Sequence, residues 1–109
     1  QLVACFSGLA IENSMLGATH ALAKPLTATY QIAQGQAIAT MLPHVLRYNG
    51  RQVEDWYEEL DQPPTEQDDG SASAAERLAS FLSEATRRGG LALTVGELGV
   101  RRDQLWILA

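Results

Sequence analysis

Apolar positions along the chain recur at three- and four-residue spacing, not in alternation. Leu2, Val3, Phe6, Leu9, Ala10, Leu16 and Ala21 follow the helical period, with the small Ala4, Gly8 and Gly17 between them. They predict one helix over 2–22, roughly 30 Å long. Few charges interrupt it, so it is expected to be buried on more than one side, with Cys5 as a small buried residue. Pro25 is expected to end it, because a residue before proline avoids the right-handed helical region. Alternatively, Pro25 opens a short second helix at its first position. After a loop around 31–35, Ile38, Met41, Leu42, Val45 and Leu46 mark the apolar side of a helix from about Gln36 to Tyr48. Pro43 lies inside it and predicts a kink. Asn49 and Gly50 form a termination and turn signal.

Residues 51–60 predict a short amphipathic helix, with Val53, Trp56, Tyr57 and Leu60 inward and the carboxylates outward. The one clear loop is acidic and lies near 61–71. Ser73 and Glu76 then have the spacing of a capping box, each side chain satisfying the other's orphan backbone N–H. The helix they open carries Leu78, Phe81, Leu82 and Ala85 inward. Arg87 and Arg88 suit its C-terminal dipole, and Gly89 is expected to end it. Thr94 and Glu97 repeat the capping-box spacing over one turn that Gly99 closes, and Asp103 starts a last short helix. Trp56 and Trp106 are expected to be core or interface anchors. There is no strand alternation, solenoid repeat, heptad run or glycine-rich phosphate loop; Gly89-Gly90 follows a helix, not a strand. The fold class expected is all-α, an irregular multi-helix bundle, with 1–109 as a single helical (sub)domain.

Composition narrows the class. At 109 residues, 46% hydrophobic and 19% charged, the chain suits one small globular domain. No apolar stretch approaches the roughly 18 residues of a membrane span, so no membrane partner is expected and the localisation expected is cytoplasmic. The single cysteine excludes an internal disulfide or a thiolate cluster. Gln1 stands in place of an initiator methionine, no basic region precedes Leu2–Phe6, and the last helix is short. Both ends therefore read as cut, and the chain as a fragment. The net charge of −5 is concentrated: residues 54–69 hold eight acids and no base. That run reads as a solvated helix face and linker, with an acidic docking surface as the alternative. An acidic chain repels phosphate backbones, so no nucleic-acid partner is expected.

Two stretches carry more specific information. Residues 13–26 read N-S-M-L-G-A-T-H-A-L-A-K-P-L, and residues 34–49 read Q-G-Q-A-I-A-T-M-L-P-H-V-L-R-Y-N. Together they resemble the helical domain of iron-containing (group III) alcohol dehydrogenases. That family shows N-x-x-L-G-x-x-H-x-x-x-H-P-L-G, then H-G-x-A, then L-P-H-V-x-R-x-N. Leu98-Gly99-Val100 resembles a later family segment, so the likeness covers nearly the whole chain.

The resemblance implies an NAD(P)-dependent oxidoreductase of small alcohols or aldehydes. It implies an N-terminal dinucleotide-binding domain, missing from this chain, and an Fe²⁺ or Zn²⁺ ion acting as a Lewis acid beside the nicotinamide. The family's ligands resemble one Asp and three His, two of which would lie upstream of Gln1. The other two fall at His20 and at position 34, where this chain has Gln34. A neutral amide is a poorer ligand than imidazole. Lys24 replaces a second-shell His one turn after His20 and adds a positive charge that opposes a cation. Thr27 replaces a glycine.

His20 thus reads either as a former or weak metal ligand or as a core histidine. Lys24 reads as a snorkelling surface lysine or as an anion contact, and Gln34 as a loop or N-cap hydrogen-bonder. His44 matches a family position outside the ligand set and reads as packing and hydrogen bonding. Three functions follow. The first is a piece of an alcohol dehydrogenase with a degraded metal site, inactive alone. The second is a non-catalytic helical interaction module prone to self-association. The third is a metal-independent reductase completed by another domain, with Lys24 polarising the carbonyl.

Overall fold

A computed structural model describes residues 1–13, 17–60 and 72–108, with side chains for 1–10, 17–60 and 72–106. The described residues form four α-helices and one 3-10 helix, and no strand. These are α1 (Leu2–Asn13), α2 (Ala18–Tyr30), α3 (Gln34–Leu60), α4 (Ala74–Arg88) and a 3-10 helix (Arg102–Leu108). The all-α class is as expected. The acidic loop near 61–71 lies outside the described residues.

The helix expected over 2–22 is divided. Gly17 is extended (φ −73°, ψ 177°) and leads into α2. α1 packs on none of the other described elements. Leu2, Val3, Phe6 and Leu9 are exposed, Phe6 by 60%, and Cys5 is exposed too. The burial expected for this segment is therefore not supplied by the described chain, whose core lies between α2, α3 and the C-terminal segment.

Pro25 does not end α2. Thr19, Ala23 and Leu26 are buried on one face spanning the proline. That burial offsets the lost backbone hydrogen bond, which costs about 3 kcal/mol in an unsupported helix. The helix ends at Gln31, which takes the left-handed conformation (φ 56°). The N–H groups of Gln31 and Ile32 both donate to the Leu26 carbonyl, a helix-ending pattern usually built on glycine.

α3 continues past Pro43 and through Asn49-Gly50. Its departure from helical geometry is at Val53 (φ −135°, ψ 33°), three residues beyond the expected stop. Gly50 serves another purpose. It is buried against α4, and a Cβ at that position would overlap the Ala75 Cβ. The glycine permits a close helix crossing in place of a turn. Beyond the break, a Glu54 carboxylate oxygen accepts from the Ala75 N–H at 3.2 Å, an orphan donor of the first turn of α4. Val53 and Tyr57 are half-buried as expected, but Trp56 (69%) and Leu60 are exposed.

Half of the capping box expected for α4 forms: the Glu76 N–H donates to Ser73 Oγ at 3.2 Å, while the Glu76 carboxylate pairs with Arg47 instead of returning to the Ser73 N–H. The buried face of α4 is Ala74, Ala75, Ala79 and Thr86, while Leu78 and Leu82 are half-buried and Phe81 is exposed. The approach allowed by Gly50 leaves room for alanine and not for leucine. Gly89 remains right-handed (φ −73°), and Gly90 is the residue that turns left-handed (φ 70°).

The core joins Ala23 and Leu26 of α2, Ala37 and Met41 of α3, and Val100. Val95 and Leu98, from the turn that Thr94 and Glu97 cap reciprocally, pack against it. Gly99 closes that turn at φ 86°. Polar contacts hold the segment in place. Thr40 Oγ1 and Gln36 Nε2 donate to the Ala92 carbonyl at 2.9 and 3.1 Å, and the Tyr30 hydroxyl donates to Gln104 Oε1 at 3.1 Å. Trp106, in the 3-10 helix, is exposed.

Candidate functional site

α2 carries His20 in its first turn and Lys24 one turn later. Side chains four residues apart lie on one helix face, and Thr27 continues the stripe by a further three. This stripe borders the buried row of Thr19, Ala23 and Leu26. His20 is accordingly half-buried, while Lys24 and Thr27 are exposed. The chain thus brings His20 and Lys24 together as neighbours.

Gln34 is the first residue of α3 and is exposed. α2 runs ten residues from His20 to Tyr30, about 15 Å along the axis, before a three-residue connection. No hydrogen bond or ion pair joins Gln34 to His20 or Lys24 among the described residues. His44, expected to pack, is exposed on α3.

Among the described residues, no group of three His, Cys, Asp or Glu side chains is placed to hold a metal ion. The α2 stripe offers one imidazole and then an ammonium, and an ammonium repels a cation.

Charge is separated across the described chain. Between Glu12 and Glu54 there is no acid, and the fixed charges are Lys24, Arg47 and Arg51. Arg47 is used by α4: its Nε and a terminal guanidinium nitrogen donate to the two Glu76 carboxylate oxygens at 2.7 and 2.8 Å. These bonds hold the Glu76 carboxyl below the usual carboxylate range and raise the Arg47 guanidinium. Glu84 is lowered likewise by hydrogen bonds from Arg88 and Arg87.

A groove at the α3–α4 crossing is lined by Arg47, Gly50, Arg51, Glu54, Ser73 and Ala75. Its polar groups largely satisfy one another. Its central contact, Glu54 to the Ala75 N–H, joins residues 21 apart, and no local pattern in the sequence signals it.

A sequence model of the Fe-containing alcohol dehydrogenase family, C-terminal, matches residues 1–109. The chain is 30% identical over 105 residues to lactaldehyde reductase of Escherichia coli (strain K12), covering 94% of this chain and 28% of that protein. It is 31% identical over 97 residues to 1,3-propanediol dehydrogenase of Citrobacter freundii, covering 87% and 25%. It is 23% identical over 100 residues to NADPH-dependent butanol dehydrogenase of Clostridium saccharobutylicum, covering 92% and 26%. The chain therefore spans about a quarter of the length of these curated relatives. No solved structure gives a significant match.

Proposed function

The chain belongs to the Fe-containing alcohol dehydrogenase family, and from that premise we propose that it serves as the helical part of an NAD(P)-dependent oxidoreductase acting on a small alcohol or aldehyde. A dinucleotide-binding domain completes the enzyme. The metal site is degraded at Lys24 and Gln34, and the 109-residue chain alone is inactive. The observation that carries the reading is the match over the whole chain, together with relatives whose names are those of alcohol and aldehyde oxidoreductases. The pairing of His20 with an ammonium one turn away supports the degraded site.

The test has two parts. The purified chain is expected to show no turnover of NADH or NADPH with short aldehydes, and elemental analysis is expected to find no stoichiometric Fe or Zn. One metal per chain would overturn the degraded site. In the full-length reading frame, Lys24→His combined with Gln34→His is expected to raise metal affinity by about tenfold or more, the usual scale of a ligand-shell effect. Unchanged affinity would overturn the ligand assignment.

A second reading, a non-catalytic helical module that self-associates, is favoured by one observation: α1 exposes Leu2, Val3, Phe6 and Leu9 and packs on no other described element. Light scattering showing a strict monomer would count against it.

A further inference from the structure

Two exposed aromatic faces of opposite charge stand on elements that do not touch. The first is the end of α3. Beyond the break at Val53, Trp56 and Leu60 are four residues apart and share one helix face. They are exposed by 69% and 66%. Asp55 and Glu59, each one residue earlier, border that face and are exposed too. Residues 54–60 hold four acids and no base. Neither Asp55 nor Glu59 has an ion-pair partner among the described residues. The second face is on the 3-10 helix, where Trp106 is exposed by 75% and Leu105 by 39%. Arg102 stands one 3-10 turn before Leu105. It is exposed and has no ion-pair partner among the described residues. Asp103, the acid of this helix, is taken by Arg101 at 2.9 Å.

The two faces do not meet within one chain, because the 3-10 helix packs on α2 and on neither α3 nor α4. Pairing either face with itself would set like charges together. Pairing the two with each other sets carboxylates against a guanidinium and tryptophan and leucine against tryptophan and leucine. Tryptophan and arginine are the residue types that carry most binding energy at interfaces. We propose that the chain associates head to tail with a second copy, the Trp56–Leu60 face of one copy receiving the Arg102–Leu105–Trp106 face of the next. Asp55 and Glu59 pair with Arg102 at the rim, and the apolar side chains exclude water at the centre. The contact is small, in the class below about 1,200 Å² that serves transient encounters. It goes beyond the family reading and uses a surface separate from α1.

The test uses the 109-residue chain carrying Phe6→Ser and Leu9→Ser, which removes association through α1, in sedimentation velocity from about 10 µM to about 1 mM. The mean mass is expected to rise with concentration. Arg102→Glu, and separately Asp55→Lys with Glu59→Lys, are each expected to weaken association by about tenfold or more, since each sets like charges across the contact. An equal mixture of these two variants restores opposite charges and is expected to regain association to within about threefold of the parent, which misfolded variants could not do. Reversed variants that associate as strongly as the parent would overturn the proposal, and so would a mixture that stays monomeric. A strict monomer in the Phe6→Ser, Leu9→Ser background, with association in the unaltered chain, would overturn it while leaving association through α1 and the family reading intact.

Discussion

Gln31 and Gly50 are placed against their usual preferences, and each placement has a measurable cost. Gln31 ends α2 with φ 56°, where a side chain crowds the following carbonyl. Gln31→Gly is expected to stabilise the chain by about 1 kcal/mol, read as a higher urea midpoint at unchanged slope. Gly50 is the opposite case. In an exposed helix interior, Gly→Ala gains about 1 kcal/mol. Here the added methyl overlaps the Ala75 Cβ, so Gly50→Ala is expected to lose about 1–3 kcal/mol, the usual cost of overpacking. Stabilisation by Gly50→Ala would show that α3 and α4 do not approach this closely.

At the scale of elements, α3 and α4 are tied by the Gly50–Ala75 contact, by Glu54 on the Ala75 N–H, and by the Arg47–Glu76 pair. The pair is partly exposed, with side-chain exposures of 38% and 45%, so solvent screens it to about 1 kcal/mol or less. Its pH dependence has a definite sign. The folded-state pKa of Glu76 is depressed by hydrogen bonds from Arg47. The contribution is therefore fully present above the ordinary carboxylate pKa and lost as pH falls through the depressed value. Arg47→Gln is expected to lower stability at pH 7 and to have no effect once Glu76 is protonated. Urea melts of both proteins at the two pH values check this, and an equal loss at both would show that Arg47 acts through packing.

For the whole molecule, the main asymmetry is between α1 and the rest. α2, α3, α4 and the C-terminal segment pack together, while α1 stands apart with an apolar surface and no base. Phe6→Ser with Leu9→Ser is expected to reduce self-association, measured by light scattering, while the urea midpoint stays nearly constant. A loss of more than about 2 kcal/mol, the scale of a buried large side chain, would show that these residues pack on the chain's own core.

The all-α class and the caps at Ser73–Glu76 and Thr94–Glu97 were legible along the chain because each depends on residues within three or four positions. The neighbourhood of His20 and Lys24 was legible for the same reason: four-residue spacing on a helix is a local property. What local pattern misjudged were the interruptions and the buried faces. Pro25 reads as a stop, but Thr19, Ala23 and Leu26 bury a row across it; Gly50 reads as a turn, but Ala75, 25 residues away, requires a glycine there. Trp56 and Phe81 read as core, yet the small residues at the α3–α4 crossing take the interior and leave the large ones outside. The sequence alone thus determined helix type, caps and the His20–Lys24 pair, all set by neighbouring residues. The tertiary structure alone decided that α2 runs past Pro25 and α3 past Gly50, and which faces are buried, because burial couples residues far apart in the chain and outweighs local propensity.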